Sequence, residues 1–191
     1  MFKRLVFVVI AVVTLCAASG FTQTRNSRRA AAPSEAGFIS IIQVDFRAYT
    51  FPLNGKTYKL IDGFYAENVA PEGQWGLELA DGPFYGDLTG DRREEAAIVL
   101  RHGPVGRPDM AEARVYTLRE GRPALLASFT VADSVNCDLD HYIDVDDGMI
   151  RVERAHGTGG NCDHNEITHY RWNGRAFMPV GEVKRTPCRC M

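Results

Sequence analysis

From Ile39 onward, short runs of alternating apolar and polar residues are separated by Asn-Gly, Asp-Gly and Glu-Gly pairs. Asn54-Gly55 divides residues 44–51 from 56–61, and Asp62-Gly63 precedes 64–69. Glu120-Gly121 separates 114–118 from 124–131, Asp147-Gly148 separates 142–145 from 149–153, and Asn173-Gly174 separates 167–172 from 176–180. Two-residue hairpin turns need positive φ values, which Gly and Asn adopt at little cost. The flanking runs are rich in β-branched and aromatic residues, and over 143–145 and 150–154 apolar side chains alternate with charged ones. That period of two predicts strands with one buried and one wet face. Residues 96–100 (Ala-Ala-Ile-Val-Leu) are continuously apolar, which predicts a central strand covered on both faces.

The pattern therefore predicts a mainly β fold: a single antiparallel meander or sandwich built from hairpins. Helix is expected only as a minor element, in the 34–42 region and for about a turn over 109–114. Residues 71–83 read either as a strand or as a covering loop.

The chain begins differently. Lys3 and Arg4 precede an apolar run over 5–15, followed by Ala17, Ala18, Ser19 and Gly20. This is the layout of a secretory signal cleaved before Phe21. The run is shorter than the roughly 20 residues of a membrane-spanning helix. Cys16 follows Leu15, where acylation of that cysteine requires a small residue, so a lipid anchor is disfavoured. The expected boundaries are a signal over 1–20, a disordered linker over 21–37, a β-rich domain over 38–184 and a cysteine-containing tail over 185–191. Export to the periplasm or outside the cell follows, with no integral membrane domain after cleavage.

Removing Lys3 and Arg4 leaves 20 basic against 24 acidic residues, a formal charge of about −4. A mildly acidic surface has no general attraction for nucleic acid or an anionic membrane. Four cysteines remain: Cys137, Cys162, Cys188 and Cys190. In an exported protein an even count points to disulfides. Cys137 with Cys162 is the expected pair, leaving Cys188 and Cys190 to pair elsewhere; the alternative joins the tail to the loops. Structural zinc is the weaker explanation because there is no Cys-x-x-Cys pair.

Two stretches carry candidate chemistry. In Asp87-Leu88-Thr89-Gly90-Asp91-Arg92-Arg93-Glu94-Glu95, the side chains of Asp87, Thr89, Asp91 and Glu95 offer oxygens at calcium-loop spacing. Thr89 is neutral, however, and Arg92 occupies the place of the usual turn glycine. The competing reading is an Asx-type turn in which Asp87 and Asp91 accept local amides and Glu95 pairs with Arg92 or Arg93.

The second stretch spans 138–169, with Asp138, His141, Asp163 and His164 as the residues to test for metal-assisted or acid–base hydrolysis. His164 and His169 do not form a His-Glu-x-x-His motif. On a strand those two histidines point to opposite faces. The simpler reading is a set of polar loop tips. Aromatic residues such as Tyr49, Phe51, Tyr58, Phe64, Tyr65, Trp75, Phe84, Tyr85, Tyr116, Tyr170 and Trp172 can line a ligand or glycan surface, although strand aromatics more often serve the core.

The order of these motifs is distinctive in combination. It runs from 44–52 through Asp62-Gly63, then the 85–91 loop feeding 94–100, then 115–118 and 123–126, to Tyr170-Arg171-Trp172-Asn173-Gly174-Arg175-Ala176-Phe177. It resembles a group of uncharacterised exported bacterial proteins, some carrying a lipoprotein label. The Asp87 loop is also locally similar to the FG-GAP calcium loops of integrin-type propellers. The first resemblance implies an exported β-rich domain and brings no established catalytic residues. The second implies calcium as a candidate ligand of the loop.

Together these features lead to an expected non-enzymatic binding or structural module of the bacterial envelope or extracellular space, with an envelope or protein partner. The alternatives are a metal-dependent hydrolase on the 138–169 loops and a calcium-stabilised structural domain on the Asp87 loop.

Overall fold

The computed structural model describes residues 37–69, 71, 73–133, 141–158 and 161–188. The expected signal and almost all of the linker, together with Cys137, Asp138 and Cys190, lie outside these residues. The described chain opens with two 3-10 turns, Ile41–Gln43 and Phe46–Ala48. Ser40 Oγ accepts the Ile42 amide at 3.3 Å and Asp45 Oδ1 accepts the Arg47 amide at 3.0 Å. These polar caps start turns that are too short to continue as helices.

All remaining regular structure is antiparallel β. β1 (Thr50–Leu53) and β2 (Lys56–Lys59) form a hairpin. β3 (Phe64–Val69), β4 (Gly73–Gly86), β5 (Glu95–Pro104), β6 (Met110–Arg119) and β7 (Arg122–Asp133) form a five-stranded meander in chain order. β8 (His141–Asp146), β9 (Met149–Thr158), β10 (Asn161–Trp172) and β11 (Phe177–Thr186) form a four-stranded meander, also in chain order. Every strand thus pairs with a sequence neighbour, as a series of hairpins requires.

The expected central strand is β5. Glu95 and Ala96 to Leu100 are fully buried. Ala97 and Val99 face one core, with Ala111, Ala113 and Val115 of β6 and Ile143, Ile150 and Val152 of the four-stranded sheet. Ala96, Ile98 and Leu100 face a second core with Leu77, Tyr116 and the N-terminal segment, including Phe46, Phe51 and Leu60. Period-two geometry sends successive side chains to opposite faces, so an unbroken apolar run serves two cores at once. Phe46, Tyr49 and Phe51 pack around Tyr116 with ring centroids 5.3, 5.7 and 6.1 Å from it. Burial pushes the Tyr116 hydroxyl up to about 12, against the opposing effect of the nearby Arg114 charge.

Four Gly-containing pairs, Asn54-Gly55, Asp62-Gly63, Glu120-Gly121 and Asp147-Gly148, have positive φ at both residues, and all but Asp62-Gly63 join paired strands as expected. Two connections differ from expectation. Asp62-Gly63 does not pair the strands on either side of it; β2 pairs with β1, β3 pairs with β4, and only the single bridge Ile61 to Phe64 spans the turn. The turn instead carries the chain from the covering hairpin into the five-stranded sheet. Asn173-Gly174 belongs to a four-residue loop, because Trp172 pairs with Phe177. There the Asn173 side chain accepts the amides of Arg175 and Ala176, both at 2.9 Å, which closes the loop as an Asx turn.

Residues 109–114, expected to hold about a turn of helix, lie mainly in β6. Pairing with β5 and β7 on both sides overrides a weak local preference there. Residues 71–83 resolve as strand through most of their length, in β4.

The expected Cys137–Cys162 disulfide is replaced by Cys162–Cys188, with Cα atoms 6.0 Å apart. The β10–β11 pairing runs outward from Trp172 opposite Phe177 to Asn165 opposite Thr186. Continuing that alignment brings Cys162 and Cys188 within disulfide reach. A cross-link spanning 26 residues restricts the unfolded chain and stabilises the fold by about 3 kcal/mol in the loop-entropy picture.

Truncating the centre of β5 tests this two-core arrangement. Ile98→Ala is expected to cost about 3–4 kcal/mol in denaturant unfolding, because the fully buried site cannot collapse from either side. A loss below about 1 kcal/mol would show that β5 is not the shared core strand.

Candidate functional site

The Asp87 loop joins β4 to β5 and lies against the β8–β9 turn, where a Cβ on Gly148 would come within 3.2 Å of the Asp87 carbonyl. Its carboxylates turn inward on the chain itself. Asp87 Oδ1 accepts the Gly90 amide at 2.7 Å and Oδ2 accepts the Arg92 amide at 2.9 Å. Asp91 Oδ1 accepts the Arg93 amide at 2.9 Å. Arg92 adopts φ 68°, taking the left-handed position usually filled by Gly.

Glu95 does not pair with either loop arginine. Its Oε2 accepts the amides of Leu88 and Thr89 at 3.0 and 3.2 Å, and its Oε1 accepts the Thr117 hydroxyl at 3.2 Å. Burial raises the Glu95 carboxyl above its usual range, while the Thr117 hydroxyl and the Leu88 and Thr89 amides pull it back. This is the geometry of a capped turn anchored to a buried carboxylate. The Thr89 hydroxyl oxygen is buried without a hydrogen-bond partner among the described residues. Among the described residues, no group of three or more His, Cys, Asp or Glu is arranged to hold a metal ion.

The residues expected for hydrolysis are not gathered together. Asp138 lies outside the described residues. Asp163 is exposed at a bulge between Cys162 and His164. His141 pairs with Arg154, which in turn pairs with Glu166. His141 therefore lies two strands and two residues from His164, on the order of 11 Å between Cα positions by strand spacing.

The structure joins His164 to other residues of the same stretch. His156 stands directly across from His164, and the two rings stack at 5.2 Å with planes 11° apart. Glu166 lies beside both: His156 Nε2 is 3.2 Å from Oε2, while His164 Nε2 is 3.5 Å from Oε1. Arg185 on β11, opposite Glu166, donates from Nε to Oε1 at 3.0 Å. Arg154 turns elsewhere, donating to the carbonyls of Val131 and Thr130 and to the Tyr170 hydroxyl. Partial burial raises the Glu166 carboxyl, but the Arg185 hydrogen bond and the neighbouring imidazoles outweigh it and leave the group below its usual range. The corner is an ion-pair knot across β9, β10 and β11, next to the Cys162–Cys188 disulfide.

On the opposite side of the five-stranded sheet, a cleft of about 420 Å³ opens between the β1–β2 hairpin and the sheet. Asn54, Lys56 and Tyr58 come from the hairpin, Glu67 from β3, Trp75 from β4 and His102 from β5. Strand pairing puts Glu67 opposite Trp75, and His102 opposite Leu77 two residues further along. The side chains thus share the face covered by the hairpin. Arg114 holds that cover in place: its Nη1 donates to the Pro52 carbonyl at 2.7 Å, while its Nε and Nη2 donate to Glu112 at 3.1 and 2.9 Å.

The cleft wall is aromatic. Tyr58 lies 5.0 Å from Trp75 and 5.2 Å from Tyr65, and Trp75 lies 6.0 Å from His102. The Tyr65 hydroxyl donates to Glu67 Oε2 at 3.1 Å and so orients that carboxylate. His102 Nε2 is buried and has no hydrogen-bond partner among the described residues. Desolvation lowers the His102 imidazole below its usual range, against the attraction of Glu112 and Asp109. An aromatic wall, a polar rim and a size within the small-molecule range are features of a recognition site.

Sequence reasoning had named Tyr58, Tyr65 and Trp75 among many strand aromatics, but it had no signal joining them to His102. The cleft depends on the hairpin folding over β4 and β5, a contact between segments far apart in the chain. His156 and Glu166 fell within the polar stretch but were not singled out, because only the β9–β10 register brings them together. No family model, curated protein or solved structure matches the chain.

Two measurements test these polar anchors. Glu95→Ala is expected to cost about 3 kcal/mol in denaturant unfolding, since it strands two amides and a hydroxyl at a buried position. A cost within about 0.5 kcal/mol would deny Glu95 an anchoring role. The lowered Glu166 carboxyl stabilises the fold above the ordinary glutamate range, and that contribution is lost as pH falls through its lowered value. Melting temperature against pH should therefore fall less on the acid side in Glu166→Gln; superimposable profiles would rule out the linkage.

Proposed function

We propose that the protein is an exported, non-enzymatic binding module of the envelope or extracellular space, with the cleft beside Trp75 as its ligand seat. The single observation that carries this reading is the cleft of about 420 Å³ in which the Trp75 and Tyr58 rings stand beside Asn54, Lys56, Glu67 and Asp109. The site is also preorganised, because Tyr58 is packed into the core and Glu67 is held by Tyr65. Preorganisation reduces the ordering cost of binding. The secretory layout of residues 1–20 supports export, as does a disulfide between Cys162 and Cys188.

The test is amide chemical-shift mapping with mixtures of small polar and aromatic-stacking compounds. The expected perturbations cluster at Tyr58, Glu67, Trp75 and His102. Perturbations centred on His156, His164 and Glu166, accompanied by ester or phosphoester hydrolysis that His164→Ala abolishes, would instead establish the hydrolase alternative. An unperturbed cleft would overturn the binding-module reading.

A further inference from the structure

We propose that the ligand of this cleft is a neutral sugar ring of a glycan, stacked on Trp75 and hydrogen-bonded by Glu67 and the other polar groups of the rim; this rests on the cleft being the ligand seat. A pyranose combines an apolar C–H face with a rim of hydroxyls, each of which donates and accepts. The cleft offers the matching pair of surfaces. Its wall is Trp75 and Tyr58, whose negative ring faces attract polarised C–H groups. Its rim has acceptor-only carboxylates at Glu67 and Asp109, the donor-only ammonium of Lys56 and the two-way amide of Asn54. A single hydroxyl can therefore be met from both sides, which neither an all-acidic nor an all-basic rim provides.

The other ligand classes that stack on aromatic rings fit less well. A quaternary ammonium is served by aromatic faces and carboxylates, but Lys56 sets a like charge in the same cleft. A phosphate-bearing ligand meets Glu67 and Asp109. A flat nucleobase is gripped best between parallel rings, whereas Tyr58 and Trp75 are tilted by 38° and Trp75 and His102 by 40°. Such a tilted wall suits a puckered ring.

The chain has two tryptophans, so Trp172→Phe makes Trp75 the only indole reporter. Trp75 fluorescence in that full-length, oxidised protein is titrated with glucose, galactose and N-acetylglucosamine tetrasaccharides, and separately with choline and adenosine. The expected result is a saturable change with at least one tetrasaccharide, and an affinity lowered at least tenfold by Glu67→Ala with unchanged circular dichroism. Because Glu67 is only half-buried on a strand of the sheet edge, this variant tests binding without relying on a core substitution. Saturable binding of choline or adenosine but of no sugar would overturn the sugar assignment and leave the cleft as a ligand seat. No response to any of the three classes would overturn both readings. Sugar binding unaffected by Glu67→Ala would place the sugar elsewhere and overturn the proposal.

Discussion

Everything in this domain depends on one strand being buried on both faces. β5 carries no exposed side chain from Glu95 to Leu100, and its two faces belong to different cores. On one side the four-stranded meander supplies Ile143, Ile150 and Val152; on the other the N-terminal turns and hairpin supply Phe46, Phe51 and Leu60. The covering hairpin is small, with two four-residue strands. Isolated two-stranded hairpins are marginal in water. The hairpin keeps its shape because β5 and its neighbours give it an apolar floor, and the cleft between hairpin and sheet exists for the same reason.

Several buried charged groups of the sheets are matched to partners. Glu95 gathers the start of the Asp87 loop and Thr117 around the first residue of β5. Arg114 ties the hairpin's Pro52 carbonyl to Glu112 in the sheet. Glu153 accepts from Asn165 and pairs with Arg151 on the outward face of the four-stranded sheet. That face is therefore not simply wet, as alternation over 150–154 had implied. Low local polarity strengthens such bonds and penalises any partner left alone. Six buried polar atoms, among them the Tyr116 hydroxyl, the Thr89 hydroxyl and His102 Nε2, have no hydrogen-bond partner among the described residues.

Much of the architecture was legible because it is written in local chemistry. Positive-φ pairs at 54–55, 120–121 and 147–148 turn hairpins where they were expected, and the unbroken run 96–100 is the shared strand. Asp62-Gly63 shows the boundary of that reasoning. Its φ values were readable, yet the turn leads between layers, because β3 gains a long partner in β4 that a four-residue β2 cannot match. The cysteines follow the same rule. Their even number indicated cross-linking, but the partner of Cys162 depended on how far the β10–β11 pairing extends. At the Asp87 loop the Asx-type turn, with Asp87 and Asp91 accepting local amides, was readable from the sequence, whereas the turning of Glu95 to the Leu88 and Thr89 amides and away from Arg92 and Arg93 was not.

The chain's own residue order determined strand, turn and the identity of the central strand, since these follow from steric φ preferences and a two-residue period acting over a few positions. Tertiary structure alone decided which distant side chains meet. His156 reaches Glu166 through strand register, and Trp75 and Tyr58 meet beside His102 because a hairpin folds across the sheet. Register and layer packing are collective outcomes of burying two cores around β5, and no window of neighbouring residues contains the information that sets them.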